Sequence, residues 1–151
     1  MQIEQRQVDV EEGKYPRFLI NAQGMHSNEA FFIPLKRGPF SGLKPVEMWY
    51  QRPNSSSVHP AFDCLPQNIT LIMVLCNVYN AVEVLMFPQF IPNEYLWKTH
   101  ADKGKEKWEI YAWAVRDMWS KYFKKPVLDG VTVMDKIEYE NLLEIGKTNY
   151  A

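Results

Sequence analysis

Apolar positions in this chain fall in short runs over its first half and in one long helical stripe over its second. Arg17 to Ile20 predicts a short buried strand, followed by a turn over Gln23–Asn28. Ala30 to Leu35 predicts a second short strand or extended segment, and Gly38 to Leu43 a turn into a short helix. Val46 to Tyr50 predicts the next strand. Arg52 to His59 contains Pro53, Ser55, Ser56 and Ser57 and predicts a loop, the segment expected to be most mobile.

Further along, Pro66 suits the first turn of a helix that runs to about Asn77. That helix is apolar nearly all round, so it is expected to be buried or to lie against something hydrophobic. Val82 to Phe87 is rich in β-formers and stops at Pro88. Asn93 to about Leu96 predicts a short helix, and Thr99 to about Lys124 a long one. On the long helix Trp108, Tyr111, Ala112, Val115, Met118, Trp119 and Tyr122 recur every three or four residues as one broad apolar stripe. Lys121, Lys124 and Lys125 suit its C-terminal dipole, and Pro126 ends it. The tail from Val127 to Ala151 predicts a short strand over Val131–Met134 and helix near Glu138 to Ile145.

Composition narrows the function classes. The 151 residues make one domain, 46% hydrophobic and 14% aromatic, ample for a core. A net charge of −1 supplies no basic field for nucleic acid. Five tryptophans and eight tyrosines suit burial against a partner or a membrane interface. Cys64 and Cys76 form neither a disulfide framework nor a metal signature and read as core or near-core thiols. The opening MQIEQRQVDVEEGKYP is polar and acidic, unlike a signal or transit peptide. The most hydrophobic run, Ile69 to Cys76, is eight residues long. Extending it to Phe87 takes in Asn77, Asn80 and Glu83, so no membrane-spanning helix is expected.

One block carries a resemblance. Phe18 to Phe40 reads FLINAQGMHSNEAFFIPLKRGPF: an apolar run, a turn at Gly24, a polar tip at His26, Ser27 and Asn28, a second apolar run, and a basic turn at Lys36, Arg37 and Gly38. It resembles the lysophospholipid acyltransferase family, which includes the glycerol-3-phosphate acyltransferases. There the block reads apolar strand, Phe-Pro-Glu-Gly-Thr, polar tip, Phe-Lys-x-Gly-Ala-Phe. Here Asn21-Ala22-Gln23-Gly24-Met25 stands in place of Phe-Pro-Glu-Gly-Thr. Lys44 to Tyr50 resembles the family's next strand with its Pro-Val pair. Val82 to Pro88 and Pro92-Asn93-Glu94 look like the later strand and acidic loop of the lysophosphatidylcholine acyltransferase branch. Ala114 to Met118 and Lys125-Pro126-Val127 resemble the helix and the closing segment after it.

The catalytic residues that the resemblance implies are missing. The family's His-x-x-x-x-Asp lies well upstream of the Glu-Gly block, and seventeen residues precede Phe18 here. The fifth residue after His26 is Phe31, after His59 Cys64, and after His100 Lys105, so no histidine is followed by the required Asp. In that chemistry the histidine takes the proton of the acceptor hydroxyl and the carboxylate orients it. Without the pair, attack on an acyl thioester has no base. The family's arginine block, which helps to hold the acceptor phosphate, is absent too.

Gln23 replaces the family's Glu of the acceptor site, keeping hydrogen-bonding reach without charge. It is either a turn residue or a retained contact to a lipid headgroup. His26 is either an exposed turn histidine or a phosphate donor. Lys36 and Arg37 match the basic turn and are either surface charge or phosphate ligands. His59-Pro60-Ala61-Phe62-Asp63 is one residue short of the catalytic spacing, in the wrong chain order, and Pro60 marks a turn.

The resemblance implies an α/β fold, a truncated acyltransferase-like mixed sheet flanked by helices, with one long amphipathic helix in the C-terminal half. Residues 1–16 are a polar extension, 17–126 a partial acyltransferase-like domain, and 127–151 a tail. Without opening strand–helix units the first strand is expected to leave an edge and an apolar face uncovered, which soluble monomers avoid. The expectation is therefore a non-catalytic accessory subunit of a membrane-associated assembly, in the mitochondrial inner membrane or the endoplasmic reticulum. It has other protein subunits as partners, peripheral membrane contact and no cofactor. The alternatives are a phospholipid-binding module using Gln23, Gly24, His26, Lys36 and Arg37, and one half of a split acyltransferase.

Overall fold

The computed structural model describes residues 2–24, 30–57, 67–131 and 133–142. In chain order they form α1 (Gln2–Glu11), a 3-10 turn (Gly38–Phe40), β1 (Trp49–Ser55), α2 (Gln67–Leu75) and β2 (Asn80–Met86). Then follow α3 (Glu94–Thr99), a second 3-10 turn (Ala101–Lys103), α4 (Lys107–Phe123) and α5 (Val133–Leu142). The class is mixed α/β: helices beside a two-stranded antiparallel sheet, β1–β2.

Helix α4 organises the core. Its Ile110, Tyr111, Ala112, Val115 and Trp119 are buried along one face, as the apolar stripe demands. Phe32, Leu35, Phe40, Met48 and Tyr50 cover most of that face. The Phe32 ring stands edge-on to Tyr50 at 5.9 Å, with Trp119 at 5.9 Å and Phe123 at 6.0 Å. Its backbone is tied as well: Phe32 N–H donates to Pro126 O (2.9 Å), and Leu128 N–H donates to Phe32 O (2.9 Å). Segment 30–35 is thus extended, with a parallel bridge from Phe32 to Val127.

The sequence expectation for α4 begins at Thr99, whereas the helix begins at Lys107. Gly104 explains the break, since it is extended (φ −170°) and sits tight against the first turn. A Cβ there would fall 2.6 Å from Glu109 Cβ and 3.1 Å from the Ile110 nitrogen. Glu109 in turn accepts from the Lys105 and Glu106 N–H groups and closes the helix start. At the other end Lys124 takes the left-handed region (φ 53°), and Ser120 Oγ donates to Lys125 O (2.6 Å). Tyr122, expected in the apolar stripe, is 62% exposed.

Several expectations are corrected. Arg17 to Ile20 is not a strand, because no described segment pairs with it, and Leu19 is 72% exposed. The strand expected over Val46–Tyr50 begins as a ladder at Trp49 and runs through Arg52 and Pro53 to Ser55. The expected loop therefore starts only at Ser56. Pairing with Asn80–Met86 overrides the turn-forming composition, and Pro53 is tolerated because each strand of a two-stranded ribbon has an open edge. Residues 58 and 59 lie outside the described residues, as do Cys64 and Pro66. Val131–Met134 is not a strand, since α5 already begins at Val133. Cys76 is exposed rather than near the core.

The polar segment 1–16 contributes α1, which docks on the turn after segment 30–35. Gln7 Nε2 donates to Pro39 O (2.9 Å), Lys44 pairs with Glu11, and Ile3 lies against Gly38. Gly42 leaves room for Gln7, whose Oε1 would be 2.1 Å from a Cβ there.

Tyr111 ties the two halves of the core. It is fully buried, and its hydroxyl lies 3.1 Å from Lys44 O and 3.0 Å from Phe90 O. The single phenolic proton serves one carbonyl at a time, and Phe90 O also accepts from Val46 N–H (3.1 Å). Lys44 O has the greater need. Burial pushes the phenol well above its usual range, and a backbone hydrogen bond opposes this only in part.

Two stability predictions follow from this core. Phe32→Ala should cost about 3–5 kcal/mol in denaturant unfolding, because the vacated ring space is walled by three other aromatic rings. Tyr111→Phe should cost about 1–3 kcal/mol by leaving a buried carbonyl unpaired. Because the folded state holds Tyr111 neutral, its contribution is intact below about pH 10 and is lost as pH rises further. Alkaline unfolding followed by circular dichroism should start at lower pH in the wild type than in a Tyr111→Phe chain normalised to its own neutral stability.

Candidate functional site

The block with the acyltransferase resemblance falls on the chain between α1 and the Gly38–Phe40 turn. Its first part closes on itself: Gln23 N–H donates to Asn21 Oδ1 (3.3 Å), an Asx-type turn, and Gly24 follows at φ +71°. Its second part returns beside the first, because Lys36 N–H donates to Ala22 O (2.7 Å). The Lys36 side chain then lies across Gly24, and a Cβ on Gly24 would be 3.2 Å from Lys36 Cγ and 3.3 Å from Cε. Glycine is needed there twice over, for the positive φ and for the lysine stem.

Gln23, Gly24 and Lys36 are therefore brought together. Gln23 is half-buried, while Lys36 is exposed. Lys36 has no ion-pair partner among the described residues. Arg37 is engaged differently, with its Nη2 3.9 Å from Glu106 Oε2 at the start of α4. Its reach toward the Gly24 turn is limited by that pairing, although both groups are well exposed and the pair is weak. His26 lies outside the described residues, as do Ser27 and Asn28, and so does His59-x-x-x-Asp63. His100 stacks on Trp113 at 4.9 Å and takes no part in this turn.

The residues near Gly24 offer one cation, one neutral amide and backbone donors, which can hold an anion weakly. Among the described residues they include no acid–base pair that could take a proton from a hydroxyl. Among the described residues no group of His, Cys, Asp and Glu could hold a metal ion. An open concavity on the ribbon, lined by Arg52, Pro53, Asn54, Ala81, Val82 and Glu83, contains none of the block's residues.

The larger feature is one that motif reading places only vaguely: exposed apolar surface on β1, β2 and α2. In the ribbon, Trp49↔Met86, Gln51↔Val84 and Pro53↔Val82 share one face, and Tyr50↔Leu85 the other. Tyr50 enters the core, so the first face points away from it. On that outer face Trp49, Val82, Val84 and Met86 are all exposed. Beyond the ribbon's far end, α2 carries Ile69, Leu71, Ile72 and Leu75, also exposed. No helix among the described residues is long and apolar enough to cross a membrane.

Compared with protein-family models, with curated proteins and with solved structures, the chain matches none.

Proposed function

We propose that this protein is a non-catalytic, acyltransferase-like accessory subunit of a larger, membrane-associated assembly. The observation that carries the proposal is the outer face of the β1–β2 ribbon. Trp49, Val82, Val84 and Met86 form an apolar ladder on a sheet with two open edges among the described residues. An open edge offers unpaired backbone N–H and C=O groups, and an apolar face beside it offers burial. Together they suit a strand or sheet of another polypeptide.

The lack of catalysis rests on the sequence. Proton abstraction from a lipid hydroxyl needs a base held by a carboxylate, and no histidine here has Asp at the fifth following position. Gln23 removes the charge that the family carries in its acceptor site. The same substitution disfavours a split acyltransferase, which would still need that site when its base came from a second chain. A phospholipid-binding role is favoured by one observation, the Lys36 stem lying across the Gly24 turn with no ion-pair partner for its ammonium among the described residues. Such a role is compatible with a subunit that touches lipid without turning it over.

Affinity purification of the full chain in mild detergent should recover further polypeptides in fixed proportion, and the assembly should not transfer acyl groups from acyl-CoA to lysolipids. Val82→Lys and Val84→Lys on the outer ribbon face should release those polypeptides while leaving the α4 core folded. Recovery of the chain alone, or acyl transfer lost on substitution of Gln23, would overturn the proposal. If phospholipid co-purifies, Lys36→Ala should weaken its retention by about fivefold or more, the loss of a charge-assisted contact.

A further inference from the structure

The ribbon and α2 expose apolar surface of two different kinds, and they suit two different neighbours. Among the described residues the ribbon has two open edges, and open backbone groups need a hydrogen-bonding partner and do not suit hydrocarbon. Helix α2 has the opposite character. Ile69, Leu71, Ile72 and Leu75 are 42%, 58%, 61% and 72% exposed, and at about 100° per residue they span a little under half of its circumference. Met73 and Val74 occupy the other side. Thr70, Met73 and Val74 on that side are only half-exposed, so the exposed apolar side chains form one broad face, with Asn68 at its N-terminal end. One exposed apolar face of this width is what a helix lying in the plane of a bilayer interface presents.

Charge points the same way. From Cys64 to Val82 the chain has no Asp, Glu, Lys, Arg or His, nineteen consecutive uncharged residues. The polar groups that end α2 are also satisfied within the segment. Asn80 Nδ2 donates to Val74 O (2.9 Å), and Asn77 N–H donates to the same carbonyl (3.2 Å). Asn77 Nδ2 donates to Asn80 Oδ1 (2.9 Å), and Val78 N–H donates to Ser56 Oγ (2.9 Å). A neutral clasp of this kind leaves few groups needing water at the end of the helix. Val78 is 91% exposed and Tyr79 50%, a bare apolar side chain beside an aromatic whose hydroxyl reaches back toward Asn54. Nine residues of helix reach about 13 Å against a hydrocarbon thickness of about 30 Å, so α2 can enter one leaflet without crossing.

We infer that α2, with Val78 and Tyr79, is a monotopic anchor that inserts into the interfacial zone of a bilayer and recognises it by apolar burial rather than by charge. The inference deepens the membrane association proposed above and assigns it to a specific element. Because the tip is uncharged, neutral phosphatidylcholine suffices as its target.

The test uses the full chain, purified in mild detergent and transferred to phosphatidylcholine vesicles by detergent removal, then separated by flotation. An environment-sensitive fluorophore is placed on Cys76, which is exposed, in a Cys64→Ser background. The labelled protein should float with neutral vesicles, with blue-shifted emission and shielding from an aqueous quencher. A Leu71→Asp, Ile72→Asp double variant should lose at least about tenfold in vesicle partitioning, since two exposed anchor side chains become charged. Its circular dichroism should be unchanged, because neither side chain belongs to the α4 core. Tyr79→Ser, a milder change, should weaken partitioning without adding charge. Failure to float, flotation that needs anionic lipid, flotation unaffected by these substitutions, or a Cys76 label open to the quencher would each overturn the inference. Loss of the partner subunits alone would not, because vesicle binding by the isolated chain is read separately.

Discussion

The burial of one face of α4 under a set of aromatic rings is the constraint on which the rest of the molecule depends. Phe32, Tyr50, Trp119 and Phe123 meet within ring–ring distance, and each comes from a different stretch of chain or a different turn of the helix. Phe32 also fixes Val127 through two backbone hydrogen bonds. Tyr111 holds the Lys44 and Phe90 segments beside each other, its one hydroxyl proton within reach of either carbonyl. Such contacts between distant positions hold the non-helical segments in place without a large sheet. Each stabilises by burying apolar area, and the hydroxyl of Tyr111 spares a buried carbonyl from going unpaired.

The same arrangement determines what is left outside. The core absorbs Met48 and Tyr50 from the base of the ribbon, but the side chains alternating with them face away. The turn at Gly24 rests on Lys36 at the edge of this core, not within it. What remains exposed is a ribbon face whose two edges are open among the described residues, and a helix with one broad apolar face. The α4 core and these surfaces are the features on which the proposed accessory role rests.

How much of this the sequence discloses depends on where the determining contacts lie. The α4 stripe is legible because Tyr111, Ala112, Val115 and Trp119 recur at helical spacing. Its start is not, because Gly104 is set by a close approach to Glu109 that no periodicity records. The ribbon's full length is hidden by Pro53 and the serines, whose turn propensity yields to cross-strand pairing. Helix α1 has few apolar residues and is held by Gln7 on Pro39, a contact between positions far apart in sequence. For the candidate site, the order of Gln23, Gly24, Lys36 and Arg37 in the block suggests their proximity. The diversion of Arg37 to Glu106 depends on where α4 begins. The all-round apolarity of α2 is plain in the sequence, but only the three-dimensional arrangement separates a buried helix from an exposed one.

The central claim is that this fold is incomplete by itself and is finished by neighbours of two kinds. Sedimentation velocity of the full chain in detergent-free buffer tests it most directly. The account predicts concentration-dependent self-association or precipitation, reversed when detergent or vesicles are supplied. A stable, soluble monomer that stays unchanged when either is added would contradict it.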